Sequence, residues 1–210
     1  IPADAAVDRA LSEVETLLGD RYGAMPNPAG VWVEPIQGEG GTVVPPDGFL
    51  QGLRDLCDEY DVPLIVDEVQ TGMGRTGEWW ACEHYDVTPD IVPMAKALGS
   101  GFPLAATMYH ERLDTWGPGG HTGTFRGFNP AMRASVRSIE YVRAHDLLDR
   151  ATRLGDYILD RLEDLAARNP HVGDVRGKGL FIGAELVDDG DPAPDLLSEI
   201  RTACYEAGLL

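Results

Sequence analysis

The sequence has few cysteines and no long apolar segment. Its three cysteines, Cys57, Cys82 and Cys204, are far apart and form no CxxC pair. This spacing argues against a disulfide framework or a zinc site and is typical of reduced thiols in a cytosolic protein. No apolar run approaches the ~20 residues that a membrane helix needs, and no secretory signal pattern is present. We therefore expect a cytoplasmic protein without a membrane-spanning segment.

Positive charge is also scarce. The 210 residues contain 35 acidic and 17 basic side chains, giving a formal net charge of −18. Nucleic acids and anionic membrane surfaces attract basic patches, so the composition argues against both as partners. Strong acidity with very few lysines resembles the proteins of halophiles, in which concentrated salt screens self-repulsion. The composition therefore suggests the hypothesis that the protein is adapted to high salt.

Apolar periodicity predicts helices alternating with short strands along the first part of the chain. The predicted helices are 3–18 and 49–60, and the predicted strands are 30–33, 63–67, 91–95 and 104–109. This alternation is typical of an α/β domain with a mostly parallel sheet. We predict that residues 1–130 belong to this large domain, that 131–170 form one long connecting helix with Gly155 as its weak point, and that 171–210 begin a smaller, incomplete α+β domain.

Two polar residues follow buried strands of the predicted sheet. Asp67 ends the run Leu64-Ile65-Val66, and Lys96, one of only two lysines, follows Ile91–Ala95. Open α/β sheets bind ligands at the carboxyl ends of their strands. A poorly solvated lysine amine is a nucleophile suited to binding a carbonyl group, and we expect such an environment for Lys96. A purely structural role remains the alternative for either residue.

Four segments carry a resemblance to a known family. They are 34–41 (EPIQGEGG), 64–77 (LIVDEVQTGMGRTG), the lysine segment around residue 96, and 121–125 (HTGTF). In this order they resemble the class III pyridoxal-phosphate-dependent aminotransferases, which implies a fold-type I large domain followed by a small α+β domain. The resemblance covers the central and following portion of such an enzyme, so we expect this chain alone to be inactive.

The resemblance implies a role for several residues around pyridoxal 5'-phosphate. Lys96 is the catalytic lysine, which holds the cofactor aldehyde and then moves protons, and Asp67 pairs with the pyridine nitrogen. Val69 packs on one face of the ring, and Gln70 donates a hydrogen bond to the ring's phenolic oxygen. A core valine and a turn-capping amide are the structural alternatives for these last two residues.

Two further residues match the family's motifs in loops. Thr124 corresponds to a threonine that reaches the cofactor phosphate of the neighbouring subunit, which implies a homodimer with shared active sites. Glu39 corresponds to a switch glutamate that pairs with a substrate-binding arginine, although this chain offers no convincing arginine for that pairing. An ordinary loop threonine and a solvated loop acid are the alternatives.

The function implied is transfer of the terminal amine of an ω-amino or diamino acid to 2-oxoglutarate by a ping-pong mechanism. Segment 121–127 resembles the diaminobutyrate branch, which makes L-2,4-diaminobutyrate the first candidate, whereas 128–130 resembles the ornithine and 4-aminobutyrate branches. Alternatives are an aminomutase, racemase or decarboxylase using the same cofactor, and an inert fragment. The form of 64–68 also resembles a Walker B strand, but no GxxxxGK[ST] loop accompanies it, so a P-loop ATPase is disfavoured.

Overall fold

The main sheet has four strands, of which the first three run parallel. A computed structural model describes residues 2–20, 22–23, 27–124 and 126–209. The strands are β1 (Val31–Val33), β2 (Leu64–Val66), β3 (Ile91–Met94) and β4 (Ala106–Tyr109). They lie in the order β1-β2-β3-β4, with β4 antiparallel to β3. The predicted mostly parallel sheet is confirmed.

Helix α2 (Phe49–Glu59) covers this sheet, because its apolar residues recur on one side. Leu50, Leu53 and Cys57 follow the i, i+3, i+7 pattern of a buried helix face and pack with residues of β2 in one core cluster. Helix α1 (Ala3–Gly19) lies against α2. A Cβ on Gly52 would stand 2.3 Å from a methyl carbon of Leu11, so glycine is what permits this close helix approach.

The predicted single long connecting helix is two helices, α3 (Asn129–Ala144) and α4 (Leu147–Ala166). The break lies at His145–Asp146, where Asp146 adopts a left-handed backbone with φ of 49°. Gly155, which the sequence suggested as the weak point, lies buried inside α4. A Cβ there would stand 2.2 Å from the carbonyl oxygen of Gly179, so this glycine provides a close contact rather than a break.

A second, antiparallel sheet follows α4. It consists of β5 (Val172–Lys178), β6 (Phe181–Asp188) and β7 (Asp191–Pro192), and α5 (Pro194–Glu206) comes after it. These elements confirm the predicted beginning of an α+β unit, while the domain boundaries at residues 130 and 170 stay a prediction. Across the described part of the chain, no helix is both long and apolar enough to cross a membrane.

Candidate active site

The carboxyl ends of the three parallel strands form one edge that carries the predicted site residues. Asp67 follows β2 directly, and Lys96 follows β3 after one intervening residue. The chain beyond β2 stays bonded to both neighbouring strands, because the Asp67 N–H donates to the Val33 carbonyl (2.8 Å) and the Glu68 N–H donates to the Pro93 carbonyl (3.1 Å). The sheet therefore holds both residues on the edge where α/β proteins bind ligands.

Lys96 begins a short 3-10 helix, Lys96–Gly99, and has a left-handed backbone with φ of 43°. Such a conformation is uncommon for a residue with a side chain and costs on the order of 1 kcal/mol or more. Leu98, two residues later, is buried against Val92 and Met94 and anchors the turn. Apolar packing beneath Lys96 thus stabilises its strained backbone.

The expectation of a poorly solvated lysine is wrong for this structure, because the Lys96 side chain is exposed. The apolar run before it buries the strand but no described residue covers the amine. Lys96 instead lines a cavity of about 250 Å³. Its lining comprises Gln70, Arg75, Lys96, Ala97, Leu180 and Phe181.

The half-buried Asp67 carboxylate is held by two donors. Its Oδ1 accepts the Val69 N–H at 3.0 Å, and its Oδ2 accepts the indole Nε1–H of Trp32 at 3.1 Å. The bond to Val69 closes a local turn of the kind that aspartate favours, so Asp67 has the structural role that the sequence offered as its alternative. It leaves the chemical role open, because an ionised carboxylate has about four acceptor positions.

Gln70 and Glu39, predicted from separate motifs, are brought together by the fold. The Gln70 side-chain amide donates to the Glu39 carboxylate with an N–O distance of 3.3 Å. A Cβ on Gly38 would stand 2.8 Å from the Gln70 side-chain carbonyl carbon, so the glycine leaves the space in which that amide lies. Both side chains remain accessible to a ligand, since Gln70 is half-buried and Glu39 is exposed.

Thr124 is not part of this group. It lies exposed on the loop before α3, and none of the hydrogen bonds found among the described residues joins it to Lys96, Asp67 or Gln70. Phe125, the last residue of its motif, lies outside the described residues. The role of Thr124 toward a neighbouring subunit stays a prediction.

Glu68 is a buried acid whose importance the sequence reasoning missed. Its carboxylate is 1% exposed and accepts the Thr71 hydroxyl and the Cys82 N–H, the latter at 2.9 Å. Burial raises the pKa of Glu68, while its hydrogen bonds act in the opposite direction. Burial, followed by the nearby Glu68 charge, also raises the pKa of the Cys82 thiol to about 12. Glu68 therefore ties the turn after Asp67 to the segment containing Cys82.

The hairpin between β5 and β6 closes the other side of the cavity. The Leu180 N–H donates to the Arg75 carbonyl at 2.9 Å. Arg176 reaches the glycine-rich loop, with 2.6 Å from its Nη2 to the Gly41 carbonyl oxygen and 3.2 Å from its Nε to the Thr42 carbonyl oxygen. These bonds join sequence positions more than a hundred residues apart, so motif spacing gave no signal for them.

A larger cavity of about 620 Å³ lies beside β4 and contains none of the predicted site residues. The smaller cavity is the better candidate, because it brings together the Lys96 amine and the Gln70 amide at the sheet edge that also carries the Asp67 carboxylate. An amine, a carboxylate and an amide are the groups that the sequence analysis assigned to a pyridoxal ring. The donor set at this edge therefore fits that cofactor.

The chain is similar to several known proteins. The family profile described as "Aminotransferase class-III" matches residues 3–210. A diaminobutyrate–2-oxoglutarate aminotransferase of Rhizobium meliloti is 43% identical over 183 residues, which are 87% of this chain and 39% of the relative. A leucine/methionine racemase of Thermococcus litoralis is 43% identical over 186 residues, which are 87% of this chain and 42% of the racemase. An ornithine aminotransferase of an Exiguobacterium species is 43% identical over 182 residues, with 86% and 45% covered.

Solved structures show the same likeness. An (S)-enantioselective ω-transaminase from Thermomicrobium roseum superposes with a TM-score of 0.89 at 31% identity, covering all of this chain and 49% of that one. An ornithine aminotransferase from Toxoplasma gondii superposes with a TM-score of 0.83 at 35% identity, covering 95% and 46%. The chain thus spans less than half the length of these similar proteins.

Proposed function

Since the chain belongs to the class III aminotransferases, we propose that the full-length protein carrying it transfers the terminal amine of an ω-amino or diamino acid to 2-oxoglutarate. The family depends on pyridoxal phosphate. The observation that carries the proposal is the shared sheet edge, where Asp67 follows β2, Lys96 follows β3, and Gln70 lines the same cavity as Lys96.

Each of these side chains has a distinct task in this proposal. When bound, the pyridoxal ring supplies an electron sink for the substrate carbon that loses a proton. Lys96 holds the cofactor through its amine and serves as the base and acid that takes and returns that proton. The Asp67 carboxylate accepts a hydrogen bond from the ring nitrogen and favours its charged form. Gln70 donates to the phenolic oxygen, and Val69 contacts the ring face.

We propose L-2,4-diaminobutyrate as the amine donor. Two relatives named diaminobutyrate–2-oxoglutarate aminotransferase, at 43% and 38% identity, support this substrate. The ornithine aminotransferases at 40–43% identity support a similar substrate with one more methylene. Racemisation is the second candidate, since the leucine/methionine racemase matches at the same 43%. A racemase would use the same lysine but would need no 2-oxo acid.

The cofactor assignment is tested by borohydride reduction of the full-length protein with pyridoxal phosphate, followed by peptide mapping. We expect a visible absorbance band and a reduced adduct on the peptide containing Lys96. Lys178, the other lysine of this chain, provides the matched control: Lys178→Arg should retain the adduct and Lys96→Arg should lose it. An adduct on Lys178 would refute the role of Lys96.

The substrate is tested with an amine-donor panel in the presence of 2-oxoglutarate. Glutamate formation with diaminobutyrate above that with ornithine and 4-aminobutyrate supports the proposed donor. Inversion of an amino acid without any 2-oxo acid would favour the racemase. The same panel applied to the isolated chain should show negligible turnover, because it spans less than half the length of the relatives.

The assembly and environment are further parts of the proposal. We propose a cytoplasmic homodimer in which Thr124 contacts the cofactor phosphate bound by the other subunit; its exposure and its absence from the residues that line the Lys96 cavity support a role across an interface. Glu39 is proposed as the switch glutamate for substrate carboxylates, supported by its exposed position next to Gln70. The net charge of −18 supports adaptation to high salt.

A further inference from the structure

Trp32 is an exposed aromatic residue in the middle of β1, with 63% of its surface accessible. Strand alternation places it on the same face of the sheet as Ile65, its partner in the register, and Asp67, which lies two residues after Ile65 and directly follows β2. Its indole Nε1–H donates to the Asp67 Oδ2 at 3.1 Å across the strand pair. We infer that Trp32 is a positioning residue, which orients the Asp67 carboxylate toward the ring nitrogen of the cofactor; this inference rests on the proposed function.

The two donors to Asp67 are not equivalent. The Val69 N–H belongs to the backbone of the turn and would be supplied by any residue except proline at that position. The indole N–H comes from a side chain on another strand, 35 residues away in sequence. Of the two bonds found, only this one depends on the identity of a single side chain.

The chemistry of an indole suits this task. Indole is a hydrogen-bond donor only, so it cannot compete with the carboxylate for the N–H of a pyridinium ring. One donor on each Asp67 oxygen fixes the plane of the carboxylate, and each oxygen keeps a lone pair for a third donor. Outer partners of this kind hold a functional group in its productive orientation.

The exposure of Trp32 separates this role from core packing. A tryptophan with most of its ring accessible contributes little to the apolar core of this chain, and Trp32 is absent from both clusters of buried residues and their packed neighbours. Phenylalanine at position 32 would keep an aromatic ring on the strand and remove only the N–H donor. Trp32→Phe therefore tests the hydrogen bond while the aromatic ring keeps most of its contacts.

The experiment uses the full-length protein and the matched variant Trp79→Phe. Trp79 is also an aromatic residue near a charged partner, with its ring 5.5 Å from the Arg143 guanidinium carbon, but it makes no hydrogen bond to Asp67. Three quantities are measured: the indole N–H resonance of Trp32 in cofactor-free, Trp-labelled protein, the dissociation constant for pyridoxal phosphate, and kcat. The indole resonance reports the bond without any cofactor or turnover.

We expect the Trp32 resonance, assigned by its loss in Trp32→Phe, to move toward the position of a solvent-exposed indole in Asp67→Ala. Trp32→Phe should raise the dissociation constant for pyridoxal phosphate or lower kcat by about tenfold, the lower end of what the loss of an outer-shell partner costs in metal sites. Trp79→Phe should match the wild type in both, and both variants should melt close to the wild type.

Two results would overturn the inference. If the Trp32 indole resonance is unchanged in Asp67→Ala, the bond does not exist in solution. If Trp32→Phe and Trp79→Phe have the same affinity for pyridoxal phosphate and the same kcat, the bond does not position the site. Either result leaves the proposed function intact if the wild type still forms the Lys96 adduct. Failure of the wild type to bind pyridoxal phosphate would instead refute the proposed function, and the positioning role with it.

Discussion

Replacing Glu68 by alanine and by glutamine separates its hydrogen bonds from its charge. In the alanine variant the buried Thr71 hydroxyl and the Cys82 N–H both lose their acceptor. An unsatisfied buried donor costs about 1–3 kcal/mol, so the two together cost about 2–6 kcal/mol, and the one lost methylene group adds about 0.8 kcal/mol. We therefore expect Glu68→Ala to lower the free energy of unfolding by about 3–7 kcal/mol. In a domain of about this size, 1 kcal/mol corresponds to roughly 2–4 °C in melting temperature.

Glutamine should preserve both bonds. Its carbonyl oxygen can accept the Cys82 N–H, and its amide N–H can donate to Thr71, because a hydroxyl both donates and accepts. It also removes a titrating group whose pKa is raised in the folded protein by burial. As pH rises above the ordinary value of 4.5, the unfolded chain releases this proton before the folded one, so the wild type loses stability until the folded pKa is passed. Glu68→Gln should lack this loss.

Thermal melting followed by circular dichroism at a series of pH values tests both variants. The stability of Glu68→Gln relative to the wild type should rise with pH from about pH 4.5 upward and then level off. Glu68→Ala should melt well below both proteins at every pH. An alanine variant as stable as the wild type, or a glutamine variant as unstable as alanine, would refute the account of Glu68 as the acceptor that ties the turn together.

Three other predictions concern the half-buried Asp90, salt and Asp67. Burial alone would raise the pKa of Asp90, but the Leu64 N–H, Arg54 and Arg112 together lower this pKa below its ordinary value of 3.8. The ionised Asp90 carboxylate therefore stabilises the folded protein above pH 3.8, and this stabilisation is lost as pH falls through the folded pKa. Asp90→Asn should therefore lower the free energy of unfolding at neutral pH by about 1.5–3 kcal/mol, and in pH-dependent melts it should lack the loss of stability that the wild type shows in acid. An unchanged melting temperature at neutral pH would contradict this role of Asp90. The melting temperature should rise across a salt series up to molar concentrations. A melting temperature in dilute buffer equal to that in molar salt would contradict the halophilic hypothesis. Asp67→Ala should fold but lose turnover by about 10²-fold or more in steady-state assays, and wild-type rates would exclude its role at the ring nitrogen.

The sequence predicted the large-domain elements well where apolar periodicity was strong. The strand at β2 and the helix at α2 were recognised because alternating burial and the i, i+3, i+7 spacing are local properties of the chain. The division between α3 and α4 was missed, because His145 and Asp146 carry no glycine or proline signal and Asp146 adopts its left-handed backbone within an otherwise helical pattern. Gly155 was wrongly predicted to be a weak point, because its small size serves a close contact with Gly179, which is distant in sequence.

Within the candidate site, the types of group and their place at strand ends were readable from the sequence. A lysine and an aspartate after apolar runs are visible in one dimension, because parallel strands place their carboxyl ends at one edge. Tertiary structure alone decided which groups meet. It bonded Trp32 to Asp67 and Gln70 to Glu39, left Lys96 exposed beside a cavity, and tied Arg176 to the glycine-rich loop. Strand alternation and helical spacing are set by backbone geometry within a segment, whereas these contacts depend on how distant segments pack.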